Sequence, residues 1–327
     1  LSNKSFEINF LMSLNRKVLN VIVPLLLAVF FGWYTFSKLP VERFIPYFKN
    51  ANYSYIFLGV ILGICSHLSR AYRWRFMLHP LGYQPKLMNS IMAVFIAYLA
   101  NFGIPRSGEI LRAAALANYE KVPFEKGFGT IVAERFADLI MILGVALIAL
   151  LLEFNYISNL LLANFNRGLF MAVCAVLIIL ALLLLFGFKY SDMKFVLKIK
   201  QMLSGLMDGM LSVFKMDKSW PFIFHTFFIW TMYVLMFYVT SFAVPELNNI
   251  SFGAILVAFI SASFTIAATN GGIFVYPLAV GVAFSLFDIP ETPSIAFGWI
   301  IWTAQTVMII LLGSVSFLYL PIFNRTQ

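Results

Sequence analysis

The stretch LNNISFGAILVAFISASFTIAATNGGIFVYPLAVGVAFSLF, residues 247–287, runs for forty-one residues between Glu246 and Asp288 without a charge. As one helix it would reach about 60 Å, roughly twice the hydrocarbon thickness of a bilayer. Thr269-Asn270-Gly271-Gly272 interrupts it near the middle, where two glycines and a capping amide suit a reversal of the chain. The flanking connections, 245–250 and 288–293, carry Glu246, Asp288 and Glu291 but no basic residue. Lys and Arg gather on the cytoplasmic side of membrane proteins, so both connections are expected outside. Segment 251–287 then enters and leaves by one face. It reads as a re-entrant hairpin with its tip at 270–272.

The rest of the chain follows from that assignment. Loop 189–218 holds six lysines and is expected in the cytoplasm, whereas 153–167 has only Arg167 and is expected outside. Apolar spans are predicted at 18–37, 53–75, 127–152, 168–188, 219–244 and 294–320. The first is too long for a signal-peptide core, and Ser37-Lys38-Leu39-Pro40 is no small-residue cleavage site. Nineteen uncharged residues between Lys86 and Arg106 lead into Pro105-Arg106-Ser107-Gly108-Glu109. Segment 88–118 therefore reads as a second hairpin, entered from the cytoplasm, with its tip at 105–108. Loop 37–52 is placed outside despite Lys38, Arg43 and Lys49. Both termini are expected in the cytoplasm of a multi-pass cell-membrane protein.

The order span, hairpin, span occurs twice, over about 53–152 and 219–320, with opposite orientations. The predicted fold is an all-α polytopic bundle: one transmembrane domain over 1–327, with six spans and two opposed re-entrant hairpins in an inverted repeat. Broken elements meeting at mid-membrane are how many transporters build a substrate site.

Composition agrees. The 327 residues are 61% hydrophobic and 11% charged, less than half the charge of a soluble domain at about 25%. A soluble enzyme, a disulfide scaffold, a coiled coil and a disordered tail are excluded. The net charge of +9 is explained by basic loops on one side of a membrane, without a nucleic-acid partner. Cys65 and Cys174 lie in apolar runs, and His67, His79 and His225 lack ligand spacing, so no metal or cofactor is expected. HExxH, GxSxG, Walker A and dinucleotide motifs are absent from the sequence. No catalytic residue is assigned, and transport without a nucleotide site runs on a gradient or downhill.

Charges inside the apolar runs mark the candidate site. In GIPRSGEILR, residues 103–112, Pro105 removes a backbone donor and the glycines permit a bend, so a new half-helix begins whose free N–H groups suit an anion. Arg106 and Arg112 flank it, and Glu109 is placed to pair with Arg112 one turn on. A plain cytoplasmic loop with ordinary anchors is the alternative. In AERFAD, residues 133–138, Glu134 and Asp138 share a helix face and Arg135 reaches Asp138. Arg106, Arg112 and Arg135 balance Glu109, Glu134 and Asp138. Each alone would cost about 2.5–3.5 kcal/mol at the membrane centre, so they pair or line a wet cavity. A purely structural ion-pair network competes with ligand binding here. Arg70 and Arg73, beside Trp74, read either as snorkelling anchors or as a dock for phosphate headgroups. Thr269, Asn270, Gly271 and Gly272 supply the uncharged half of the candidate site.

Together, Arg73-Trp74 closing the second span, GIPRSGEILR, AERFAD and the late Thr269-Asn270-Gly271-Gly272 turn resemble a flippase-like family, matching the transmembrane region of lysylphosphatidylglycerol synthase. The resemblance extends from about 18 to 320. It implies movement of a phospholipid or lipid-linked phosphate, such as a polyprenyl-phosphate-type substrate, between leaflets, with enzymes of lipid or glycan synthesis as partners. The chain stops seven residues after Leu320, so the soluble aminoacyl-transferase domain of bifunctional synthases is expected to be absent. On this reading Arg106 and Arg112 meet phosphate, Glu109, Glu134 and Asp138 balance them, Arg135 holds the network, and Arg70 and Arg73 gather headgroups. The alternatives are an integral-membrane enzyme or accessory subunit acting on a lipid-linked sugar, and a carrier of small organic anions.

Overall fold

The computed structural model describes residues 41–156, 158 and 219–325, apart from 105 and 270. The spans expected at 18–37 and 168–188, loop 189–218, Pro105 and Asn270 lie outside the described residues. Within them the chain is all-helical, with no strand. A short helix α1 (Ile45–Asn50) precedes α2 (Tyr53–Leu78), α3 (Leu87–Gly103), α4 (Ser107–Tyr119) and α5 (Phe124–Leu152). After the central segment come α6 (Ser219–Ser241), α7 (Phe252–Ala268), α8 (Val275–Ser285) and α9 (Glu291–Phe323).

Among the described residues, four helices have the length and apolarity to cross a bilayer: α2, which a 3-10 turn continues to Leu81, and α5, α6 and α9. The apolar helices α3, α7 and α8 have 17, 17 and 11 residues. At 1.5 Å per residue even the longer two reach only about 25 Å, short of a core about 30 Å thick. Lipid-facing stripes are plain on the long helices. Leu139, Leu143, Leu147 and Leu151 recur every fourth residue of α5, and all are exposed. With no water to serve as its counterpart, such a stripe belongs against acyl chains.

Local sequence explains the helix ends. Asn52 Oδ1 accepts from Ser54 N–H at 3.1 Å to start α2, and Ser251 Oγ accepts from Ala254 N–H at 3.1 Å to start α7. Pro123 and Pro290 precede the first turns of α5 and α9. The break between α3 and α4 begins at Ile104, which is extended (φ −128°, ψ 122°) because a residue before proline is pushed out of the α region. Arg106 then adopts a left-handed conformation with φ 59°. Asn101 Oδ1 accepts from Gly108 N–H at 2.8 Å, so the incoming helix α3 caps the first turn of the outgoing α4. Gly108 sits so near the Ala97 carbonyl that a Cβ there would collide with backbone. The second break is built differently. Thr269 is extended, its Oγ1 accepts from Gly272 N–H at 3.1 Å, and Gly271, Gly272 and Phe274 all have positive φ. Thr269 thus supplies a side-chain cap within this turn.

The packing is reciprocal. Helix α2 lies along α6. The α3–α4 pair packs on α5 and is covered by α9, while the α7–α8 pair packs on α9 and is covered by α5. Each half of the sequence thus supplies the long helix that covers the short pair of the other. One apolar cluster, including Val145, Ile229, Phe237, Phe259, Phe284 and Phe297, joins α5 to α6–α9. A smaller one, including Trp74, Leu78, Ala113, Leu116 and Ile131, joins α2–α5. The site lies beside the smaller cluster.

Candidate functional site

Two carboxylates on consecutive turns of α5 organise the site. Glu134 is fully buried, and Asp138 nearly so. Glu134 Oε1 accepts from Arg73 at 2.8 Å and lies 3.6 Å from Arg70, while its Oε2 takes Arg112 at 2.7 Å. Asp138 Oδ2 takes Arg70 at 2.6 Å, and its Oδ1 takes Arg73 at 3.2 Å. Arg135, half-exposed, reaches Asp138 at 3.6 Å one turn away. Charge-assisted contacts of this length are among the strongest polar interactions available away from water.

Aromatic and hydroxyl groups hold the guanidinium planes. Arg112 stacks on Trp74 with its guanidinium carbon 3.8 Å from the ring centroid. Trp74 Nε1 donates to Thr130 Oγ1 at 2.8 Å. Arg73 donates to Thr226 Oγ1 on α6 at 2.8 Å, and Trp230, one turn further, directs Nε1 at Asp138 Oδ1 at 3.4 Å. Thr226 and Trp230 carry no charge, so the sequence holds no signal for them. Tyr98 and Asn101 were not among the expected site residues, although as polar interruptions three residues apart in the apolar run of α3 they carried a signal that could have found them.

The structure corrects the expected pairing in three places. Arg70 and Arg73 do not snorkel: α2 continues two turns beyond Arg70, and both side chains turn inward onto α5. Glu109 makes no ion pair with Arg112, which reaches across to Glu134 instead. Arg106 is exposed at the break and takes no part in the network. Charge therefore does not cancel. Four guanidiniums, of Arg70, Arg73, Arg112 and Arg135, surround two carboxylates.

The excess faces a cavity between α3, α4 and α5, lined by Tyr98, Asn101, Glu109, Arg112 and Arg135 among others. Arg112 is 3% exposed, and its Nε and Nη2 have no hydrogen-bond partner among the described residues. Buried guanidinium donors are seldom left bare. The space measures about 20 Å³, room for one water, so a larger ligand requires the three helices to part. The second break approaches from the far end of α3. Gly271 lies against the Phe102 ring, and Trp302 Nε1 of α9 donates to the Gly271 carbonyl at 2.7 Å. Thr269, Gly271 and Gly272 thus adjoin the first break without touching the charged cluster. Among the described residues, no three His, Cys, Asp or Glu side chains converge to hold a metal.

No solved structure matches the chain. It is 24% identical over 314 residues to the UPF0104 membrane protein MJ1595 of Methanocaldococcus jannaschii, covering 86% of this chain and 88% of that one. A 98-residue stretch is 30% identical to part of the glycosyltransferase AglD of Haloferax volcanii, covering 30% of this chain and 16% of that protein. The description of the lysylphosphatidylglycerol synthase transmembrane region matches residues 21–313, including both breaks and every member of the charged cluster. With four long apolar helices among the described residues and a match over residues 21–313, this chain is a multi-pass membrane protein belonging to the family of the lysylphosphatidylglycerol synthase transmembrane region.

Proposed function

We propose that the protein is a lipid translocase that carries the phosphate of a phospholipid, or of a lipid-linked intermediate, between leaflets. The observation that carries this reading is Arg112: almost wholly buried, with two guanidinium nitrogens unpartnered among the described residues, beside a cavity in a cluster richer in arginine than in carboxylate. Arg112 and Arg135 meet the phosphate, while Glu134 and Asp138 hold the guanidiniums in place. The helix pairs α3–α4 and α7–α8 act as opposed re-entrant hairpins of an inverted repeat, over about 53–152 and 219–320, in one transmembrane domain. Their reciprocal packing and the approach of Gly271 to Phe102 support that arrangement. Thr269, Asn270, Gly271 and Gly272 form its uncharged side. Both termini face the cytoplasm.

The test is lipid movement in reconstituted vesicles, followed with a head-labelled phospholipid and an impermeant quencher. Wild-type protein is expected to accelerate translocation, Arg112→Gln to abolish it in a folded protein, and Arg112→Lys to restore part, because lysine lacks the planar fork that suits phosphate. Full transport by folded Arg112→Gln overturns the reading. The AglD match favours a second reading, in which the protein serves as an accessory subunit handling a lipid-linked sugar. Loss of glycan-lipid synthesis on deletion, with no vesicle activity, would favour it.

A further inference from the structure

Arginine keeps its proton in proteins, and both carboxylates of the cluster are engaged by guanidiniums. A group able to change charge near neutral pH lies one turn before Arg70 on α2. His67 is 6% exposed, the only buried histidine among the described residues, and it stands outside the ion pairs. Imidazole is the side chain whose ordinary titration falls between about pH 5 and 8. Ionisable groups are scarce within spanning helices, and proton relays are one of the uses they are kept for.

The ring sits where α2, α3 and α6 meet. Its Nδ1 lies 3.4 Å from the Tyr233 hydroxyl on α6. From α3, the Tyr98 ring packs with its centroid 4.6 Å away and the Phe95 ring, edge-on, 5.7 Å away. Tyr98 also lines the cavity beside Arg112, and its side chain is within hydrogen-bonding reach of Tyr233. From the cavity, two hydroxyls thus lead to the imidazole, and each can donate as well as accept.

The charges around this path are few. On α2 itself is Arg70, whose guanidinium carbon is 6.0 Å from the Tyr233 ring centroid. From α5 come Glu134 and Asp138, both within ion-pair distance of Arg70, and Arg135 at the cavity wall. From α9 comes the neutral amide of Gln305, against Gly63. Arg70 repels a proton on His67, whereas an anion in the cavity attracts one. Proton and anion therefore favour each other's binding, and linkage makes the effect mutual.

Resting on the lipid-carrier reading, we infer that His67 is the proton-binding site of a proton-coupled carrier. Its lone-pair nitrogen takes one proton, by way of Tyr98 and Tyr233, from the side on which the anion enters. It releases that proton once the anion has left on the other side. A singly charged anion and one proton cross as a neutral pair, toward the alkaline side.

The test is the vesicle assay under an imposed pH difference, with nigericin to collapse it. The probe is phosphatidylethanolamine labelled on its amine, which leaves the single negative charge of the phosphate. Wild-type protein is expected to move it at least about threefold faster toward the alkaline side than toward the acidic side, and nigericin to abolish the difference. His67→Gln keeps a polar side chain that does not titrate, and is expected to move the lipid equally in both directions. Tyr233→Phe keeps the ring and removes the hydroxyl facing Nδ1, so a bias close to one is expected with unchanged thermal unfolding. His225, bonded to Ser69 on the same α2–α6 seam, is the control, and His225→Gln is expected to retain the bias. A pH dye gives a readout that a merely structural histidine does not move. Without an imposed gradient, lipid movement is expected to acidify the receiving side in wild type and not in His67→Gln. Wild-type transport indifferent to the gradient, a folded His67→Gln or Tyr233→Phe that keeps the bias, or its loss in His225→Gln instead, overturns the inference. If wild type ignores the gradient while Arg112→Gln abolishes transport, only this inference fails. If wild type moves no lipid, the carrier reading fails with it.

Discussion

At the scale of single residues, Glu134 and Arg112 are unequal partners although they touch. Glu134 contacts three guanidiniums, whereas Arg112 contacts one carboxylate that Arg73 and Arg70 also serve. Glu134→Gln strands Arg112 and weakens the hold on Arg73, and breaking a buried pair in this way costs about 3–5 kcal/mol. Arg112→Gln leaves Glu134 paired, so that protein is expected to accumulate and unfold within a few degrees of wild type. Thermal unfolding in detergent checks both, and equal collapse of the two variants would refute this ordering. Trp74 tests the aromatic support. Trp74→Phe keeps a ring beneath Arg112 but loses the bond to Thr130, at an expected cost of about 1 kcal/mol.

At the scale of elements, the two breaks are matched in place and different in construction. The first relies on a proline, a left-handed Arg106 and a close approach at Gly108; Gly108→Ala must push α4 away from the Ala97 carbonyl, an overpacking cost of about 1–3 kcal/mol. The second relies on glycines with positive φ. In Gly271→Ala the new methyl meets the Phe102 ring, and φ 65° adds about 1–2 kcal/mol of strain. Phe102→Ala in the same protein is expected to remove the collision and leave the strain, so the double variant should regain only part of the lost melting temperature. Full recovery would show that the glycine's conformation is immaterial. Single cysteines at Ser107 and Thr269 test the topology. Membrane-impermeant reagents are expected to reach them from opposite sides, and labelling of both from one side would rule out inverted hairpins.

At the scale of the whole molecule, the covering helices are exchanged: α5 packs on α7, and α9 packs on α3. Neither half can bury its short pair alone. Two fragments divided within 159–218 and co-expressed, one of them tagged, are therefore expected to purify together, while each alone is expected to be lost to degradation. Recovery of a stable single half would show that the exchange contributes little.

Much of the architecture was legible in the sequence because hydropathy and charge act over short windows. The helical character, four of the long apolar helices and both interruptions follow from runs of uncharged residues and from Pro105, Gly108 and Thr269-Asn270-Gly271-Gly272. The bounds of α5 and α9 fall within three residues of those expected. The membership of the charged cluster was legible in part: Arg112, Glu134, Arg135 and Asp138 were expected in it, whereas Arg70 and Arg73, read as snorkelling anchors or a headgroup dock, take the places expected of Arg106 and Glu109. Its pairing was not legible. Spacing along one helix proposed Glu109 with Arg112, but the contact that forms links α4 to α5, and Arg70 and Arg73 arrive from α2. Which guanidinium meets which carboxylate depends on the distances between helices, and packing sets those. The surplus of guanidiniums over carboxylates and the donors of Arg112 left unpaired among the described residues are properties of that three-dimensional meeting. The sequence determined which residues had to be compensated inside the membrane, because an unpaired charge there is too costly to leave. Only the tertiary structure decided which partner compensates each, because helix packing sets the distances between them.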